Sequence, residues 1–157
     1  MIRRSLLTAA LIIVGSVAVA PKTMAQTADV PFTANVGGVC NFDQIIPGKL
    51  GLNQPTNPTT LAGGFTGGQF GKVFVSCNQG ARVSISKPQQ TGGPSFTPIH
   101  SVGIINSSFG YTDSQSSNTV FLPGGSGLPL DIDMIVDKGS PLVPGSYSYV
   151  TTLTIVP

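Results

Sequence analysis

This 157-residue chain contains no glutamate, and from residue 26 onward its apolar residues nowhere keep a sustained 3.6-residue helical period. Helices draw heavily on Ala, Leu, Glu, Lys and Gln, so a helical fold lacks both its building material and its pattern. The apolar residues instead alternate with polar ones in short runs. Val30, Phe32, Ala34 and Val36 form one such run; Val73, Val75 and Cys77 form another; Ala81, Val83 and Ile85 a third. The clearest is Leu130, Ile132, Met134 and Val136, with Asp131 and Asp133 between them. Shorter candidates lie at residues 102–105, 108–111 and 119–122, and a last run spans about residues 146–156. A period of two places one set of side chains on one face of a strand.

Glycine and proline separate these runs. Asn78-Gln79-Gly80 predicts a short hairpin link between two strands. Gly63-Gly64-Phe65-Thr66-Gly67-Gly68 and Gly124-Gly125-Ser126-Gly127 are expected to be flexible loops, and Pro141 with Pro144-Gly145 to turn the chain into the last run. Residues 53–60, with Pro55 and Pro58, do not suit a central strand. Gly plus Pro makes up 31 of the 132 residues from Gln26 onward, below the level that by itself implies disorder. Seven or so short strands with this spacing predict an all-β sandwich or barrel.

Residues 1–25 have the pattern of a secretory leader. Arg3 and Arg4 precede an apolar stretch, and Thr23-Met24-Ala25 ends in the small residue expected before cleavage. The stretch is too short, and too soon interrupted by Pro21 and Lys22, for a stable membrane anchor. Without the leader, five basic residues face six Asp, so the net charge is −1 and no basic patch for nucleic acid remains. An exported chain meets an oxidising environment, where Cys40 and Cys77 are expected to form a disulfide. A metal site would want further Cys or His close by, and the sequence offers one histidine, His100.

Catalytic chemistry finds little support. His100 sits near Pro98 without an identifiable nucleophile, and no Gly-x-Ser-x-Gly elbow is present. Asp131 and Asp133 share a face, with Asp137 following. These oxygens could suit a hard cation, but the solvated face of a strand gives the same pattern, and the choice stays open. No glycine cluster matches a phosphate-binding loop. The chain is expected not to be an enzyme and to need no cofactor.

The last run, with Tyr147, Tyr149, Leu153 and Ile155 in step, continues to Pro157 with no later segment to pair with, which predicts a sheet edge. The run at residues 30–36 is a short alternating segment that could cover such an edge, in the same molecule or in a neighbour.

Taken together, the leader, the alternating segment before Cys40, the strand Val73-Phe74-Val75-Ser76-Cys77, Leu128-Pro129-Leu130-Asp131-Ile132, and an ending with Gly145, Tyr147, Tyr149 and Leu153-Thr154-Ile155 resemble the spore coat protein U domain family. That family includes the archaic, Csu-type chaperone–usher pilins. The resemblance implies an incomplete immunoglobulin-like sandwich completed by strand donation. It implies three segments: a signal peptide at 1–25, a donor segment at 26–38 and a pilin-like domain at 39–157. Val30, Phe32, Ala34 and Val36 would be the donor residues, and Tyr147, Tyr149, Leu153 and Ile155 would border the acceptor groove. The implied partners are a periplasmic chaperone, an outer-membrane usher and other copies of itself or related pilins. The implied location is the cell surface, as a pilus serving adhesion or biofilm formation. Two alternatives remain open: residues 30–36 as an ordinary first strand of the same domain, and a self-complete sandwich binding a surface glycan through Phe65, Phe70, Phe96 or Tyr111.

Overall fold

A computed structural model describes residue 27 and residues 29–157; the expected leader at 1–25 lies outside the described residues. Every regular element among the described residues is a β-strand, and Val36–Pro157 forms one compact unit. In chain order the strands are β1 (Cys40–Ile46), β2 (Gly51–Leu52), β3 (Thr60–Ala62), β4 (Gly71–Cys77), β5 (Ala81–Ile85), β6 (Gln89–Gly92), β7 (His100–Ser107), β8 (Gly110–Asp113), β9 (Val120–Leu122), β10 (Gly125–Asp137), β11 (Ser148–Val150) and β12 (Leu153–Val156).

One layer is built around β10. Its first half pairs with β4 and its second half with β3 and β7, all antiparallel. β1 extends this sheet beyond β4, β2 beyond β3, and β8 beyond β7. The other layer has β5 at its centre, between β12 and β9, and β11 pairs with β6 as the chain runs on. The two layers meet through the side chains that alternation assigned inward. Val73, Val75, Cys77 and Leu130 of the first pack with Ala81, Val83, Ile85, Val120 and Leu122 of the second, and Ile105 joins them. The architecture is a β-sandwich. Each fully buried Val, Leu or Ile contributes about 1.5–3 kcal/mol relative to its exposed state.

Two expectations about turns are corrected. Asn78-Gln79-Gly80 does not close a hairpin: β4 is flanked by β1 and β10, so no edge is left for β5, and the link carries the chain to the other layer. The glycine run at 124–127 is not a free loop either. Gly125 pairs with Cys77, a register shift follows before Leu128, and Gly127 takes φ +64° while its N–H donates to Ser76 Oγ at 3.0 Å. Such a bulge needs a residue tolerant of positive φ.

The Cys40–Cys77 disulfide joins residues directly opposite each other in the β1–β4 ladder. Just before it, Asn78 continues that ladder with its side chain: Val39 N–H donates to Asn78 Oδ1 (2.8 Å) and Asn78 Nδ2 donates to the Gly37 carbonyl (2.9 Å). The backbone N–H of Asn78 donates to the Val39 carbonyl at 3.1 Å. Gly38 lies between these contacts, where a Cβ would collide with the Gln79 side chain and with Pro157.

Candidate functional site

Beyond Cys40, which packs against the core, the inward face of β1 is exposed. In the β1–β4 ladder Phe42 stands opposite Val75 and Ile45 opposite Val73, and residues directly opposite share a face. Val75 and Val73 are 0% and 6% exposed, whereas Phe42 and Ile45 are 44% and 67% exposed. The core between the layers includes β4 and reaches β1 at Cys40, leaving Phe42 and Ile45 exposed.

The strand of the second layer on this side is the last one, and among the described residues no strand pairs with its outer edge. Thr152 interrupts it, with its carbonyl accepting from Ser86 N–H (2.9 Å) and its N–H donating to Ser86 Oγ (2.9 Å). The single strand expected over residues 146–156 is therefore two pieces, β11 and β12, with no strand at residues 151–152. The register runs on without a shift from Leu153 opposite Ile85 to Val156 opposite Arg82. In an antiparallel ladder the bonded positions alternate. With Thr152 bonded toward Ser86, the backbone groups of Leu153 and Ile155 face the free edge.

Between the uncovered face of β1 and this free edge runs a groove. Its apolar part, about 490 Å³, is walled by Phe42, Ile45, Ile46, Val73, Ile132 and Leu153. Its polar part, about 530 Å³, is walled by Lys49, Gln69, Asp133, Ser146, Tyr147 and Ser148. Gly48, Gly71, Ile132, Tyr149 and Thr151 line both, so the two parts are continuous. Tyr149 projects inward between exposed Ser148 and exposed Val150. Its hydroxyl is buried without a hydrogen-bond partner. Burial, with Tyr147 adding to it, pushes its phenol above the usual tyrosine range.

Of the four residues expected to border a groove, Tyr149 lines both parts, Leu153 the apolar part and Tyr147 the polar part. The Tyr147 hydroxyl donates to the Val143 carbonyl at 2.6 Å. Ile155 lines neither part and, like Leu153, packs partly buried against the main core. No strand is assigned within residues 29–39; Val30 is 68% and Phe32 93% exposed, and Ala34 and Val36 are exposed too.

The three aspartates serve separate contacts. Asp131 pairs with Lys72 at 3.3 Å, Asp133 Oδ1 accepts from the N–H groups of Gly63 and Met134 at 2.7 Å each, and Asp137 Oδ1 accepts from Gly139 N–H at 2.8 Å. Asp133 thus ties the glycine-rich loop after β3 to the floor of the groove. His100 opens β7, its Nδ1 3.3 Å from Gln115 Nε2, in a cleft that also contains Phe96 and meets the groove at Tyr149. Phe96 meets Tyr147 edge-on at 6.0 Å between centroids and lies under Lys138 Nζ at 5.9 Å, so neighbours within the chain already engage its ring.

The wall residues Phe42, Ile45 and Ile46 have no counterpart among the expected site residues. Their alternation is broken by the register shift at Asp43, so Cys40, Phe42 and Ile45 share a face without sharing a period of two. The signal in the sequence is an apolar run, Ile45-Ile46, just past a cysteine-led alternation. No protein-family model matches the chain, and comparisons with curated proteins and with solved structures give no match.

Proposed function

We propose that this protein is an exported structural subunit of a surface fibre, a pilus assembled by chaperone–usher donor-strand exchange. In this reading the sandwich is an incomplete immunoglobulin-like fold whose groove takes a strand from outside the molecule. A periplasmic chaperone fills the groove first, and an outer-membrane usher exchanges that strand for residues 30–36 of the next copy or of a related pilin. Adhesion or biofilm formation would then be properties of the fibre, with no catalysis by the subunit.

The observation that carries the proposal is the pairing of two unsatisfied surfaces. Phe42 and Ile45 are exposed on the face that β4 buries, beside a strand edge that no described residue pairs with. An exposed arm with apolar residues at every second position precedes the same domain. An added strand supplies main-chain hydrogen bonds to such an edge and side chains at alternate positions to such a groove.

The test is a rearranged chain. Residues 26–36 are removed from the front and attached after Pro157 through a short flexible linker. The expected product is a soluble monomer that unfolds at a higher temperature than the unrearranged chain and no longer polymerises. Removing residues 26–36 outright should leave chaperone binding intact and abolish polymerisation. A truncated chain that still polymerises, or an unmodified chain that purifies as a stable monomer without a chaperone, overturns the proposal.

A further inference from the structure

We infer that Tyr149 sets the register of the incoming arm: Ala34 of a second copy crosses Tyr149, placing Phe32 in the apolar part of the groove. The inference rests on strand donation and adds to it a polarity, an alignment and a specificity-determining residue.

Tyr149 is the bulkiest of the five residues that line both parts of the groove; the others are two glycines, Ile132 and Thr151. A strand laid along the groove must pass this inward ring with a small side chain, because overpacking a filled interior is destabilising. The apolar positions of the arm are Val30, Phe32, Ala34 and Val36, and Ala34 is by far the smallest. With Ala34 at the ring, the two ends of the groove differ in what they offer. One end presents Phe42, Ile45, Ile46 and Leu153, and the other mixes Lys49, Gln69 and Asp133 with Leu50 and Met134. Phe32 has the larger apolar area to bury and belongs at the first end. The arm therefore runs antiparallel to β11 and β12, with Phe32 opposite Thr151 and Val30 opposite Leu153.

An independent feature agrees with this alignment. Pro31 falls opposite Thr152. Proline has no N–H to give a ladder, and Thr152 turns both its backbone groups toward Ser86 and away from the free edge. The residue that cannot bond meets a position that offers no bond. Val30, one step further, meets Leu153, whose backbone groups face outward.

Cross-linking between copies reads the register directly. Thr33→Cys is combined, in the full chain co-expressed with its assembly partners, with Val150→Cys, Ser148→Cys or Thr152→Cys, and fibres are oxidised and analysed under denaturing conditions. These side chains lie on the outer face, Thr33 and Val150 directly opposite each other in the proposed register, at a spacing a disulfide accepts. The expected result is a ladder of cross-linked copies with Val150→Cys and little with the other two. Cross-linking through Ser148→Cys or Thr152→Cys instead overturns the register while strand donation stands. No cross-linking in any pair overturns the register too, and polymerisation of a chain lacking residues 26–36 would show that donation itself is at fault. A steric test is independent of cysteines. Ala34→Leu lies in the exposed arm, so folding is unaffected, and it should slow polymerisation about tenfold, the factor that ~1.4 kcal/mol of overpacking amounts to. Tyr149→Ala on the accepting copy should restore it. Normal assembly of Ala34→Leu, or its failure to be rescued, overturns the inference.

Discussion

Phe42 and Val75 stand directly opposite each other in neighbouring strands and point to the same side of the sheet, yet Val75 is wholly buried and Phe42 is nearly half exposed. One strand's width separates a buried position from an exposed one on the same face. The difference marks where the second layer ends, and it divides the apolar residues into those that hold the domain together and those that remain available to something else.

That division predicts opposite outcomes for substitutions at two aliphatic residues. Leu130→Ala removes a fully buried side chain from between the layers and should cost about 2–5 kcal/mol in denaturant unfolding. Ile45→Lys alters a side chain that is mostly exposed and should change the stability of the isolated domain by under about 1 kcal/mol. The same Ile45→Lys chain should fail to polymerise, measured by size-exclusion chromatography of the co-expressed assembly. A polymerising Ile45→Lys chain would remove β1 from the groove.

The disulfide is expected to matter for stability independently of the groove. Cys40 and Cys77 are separated by 37 positions, and a cross-link over that span restricts the unfolded chain by about 4 kcal/mol in the chain-entropy account. Cys40→Ser with Cys77→Ser, or the wild-type chain in reductant, should unfold at clearly lower urea concentration. Equal midpoints with and without reductant would count against this.

Tyr149 predicts an alkaline signature. Its pKa is raised in the folded state by burial, with Tyr147 adding to the effect, so the folded chain holds the phenolic proton more tightly than the unfolded chain. The associated stability is present below the unfolded value near 10 and is lost as pH rises through the folded value. Unfolding free energy should fall above about pH 10 in the wild type and fall less in Tyr149→Phe. At neutral pH the Phe variant should be as stable as the wild type or slightly more so, because it removes a buried hydroxyl with no partner. Urea titrations at pH 7 and above pH 10 distinguish these outcomes.

Asp133 ties two N–H groups with one oxygen. Asp133→Ala should cost about 1–3 kcal/mol and increase hydrogen exchange at Gly63 and Met134. Asp133→Asn keeps an acceptor oxygen and should recover much of the loss. Equal exchange in the wild type and the Ala variant would show that the loop after β3 is held by other contacts.

The inward faces of β4, β5 and β10 were legible in the sequence because their neighbours on both sides keep them flat and evenly alternating. Val73, Val75, Ala81, Val83, Leu130 and Val136 are buried as their spacing implies. β1 was hidden by a single displaced residue: the shift at Asp43 turns an alternating strand into an irregular apolar segment. β2 and β3 are two and three residues long, too short to show any period. The link after Cys77 was misjudged because its turn residues are local, whereas β4 is already paired on both edges by strands remote in sequence. The last strand gave away Tyr149 and Leu153, and the opposing wall depended on β1 and stayed invisible. Ile155 followed the same alternation but lines neither part of the groove, a distinction spacing alone does not make.

The disulfide and the Asn78 amide also determine how the domain responds to pulling. A force applied to the chain ahead of Gly37 reaches Asn78 first, through hydrogen bonds at Gly37 and Val39. It then meets the covalent bridge at Cys40, which passes the load to β4 at Cys77, a strand flanked on both sides. β1 therefore cannot be unzipped residue by residue from its front end. Tension bypasses the weakest edge of the sheet and is carried by its middle.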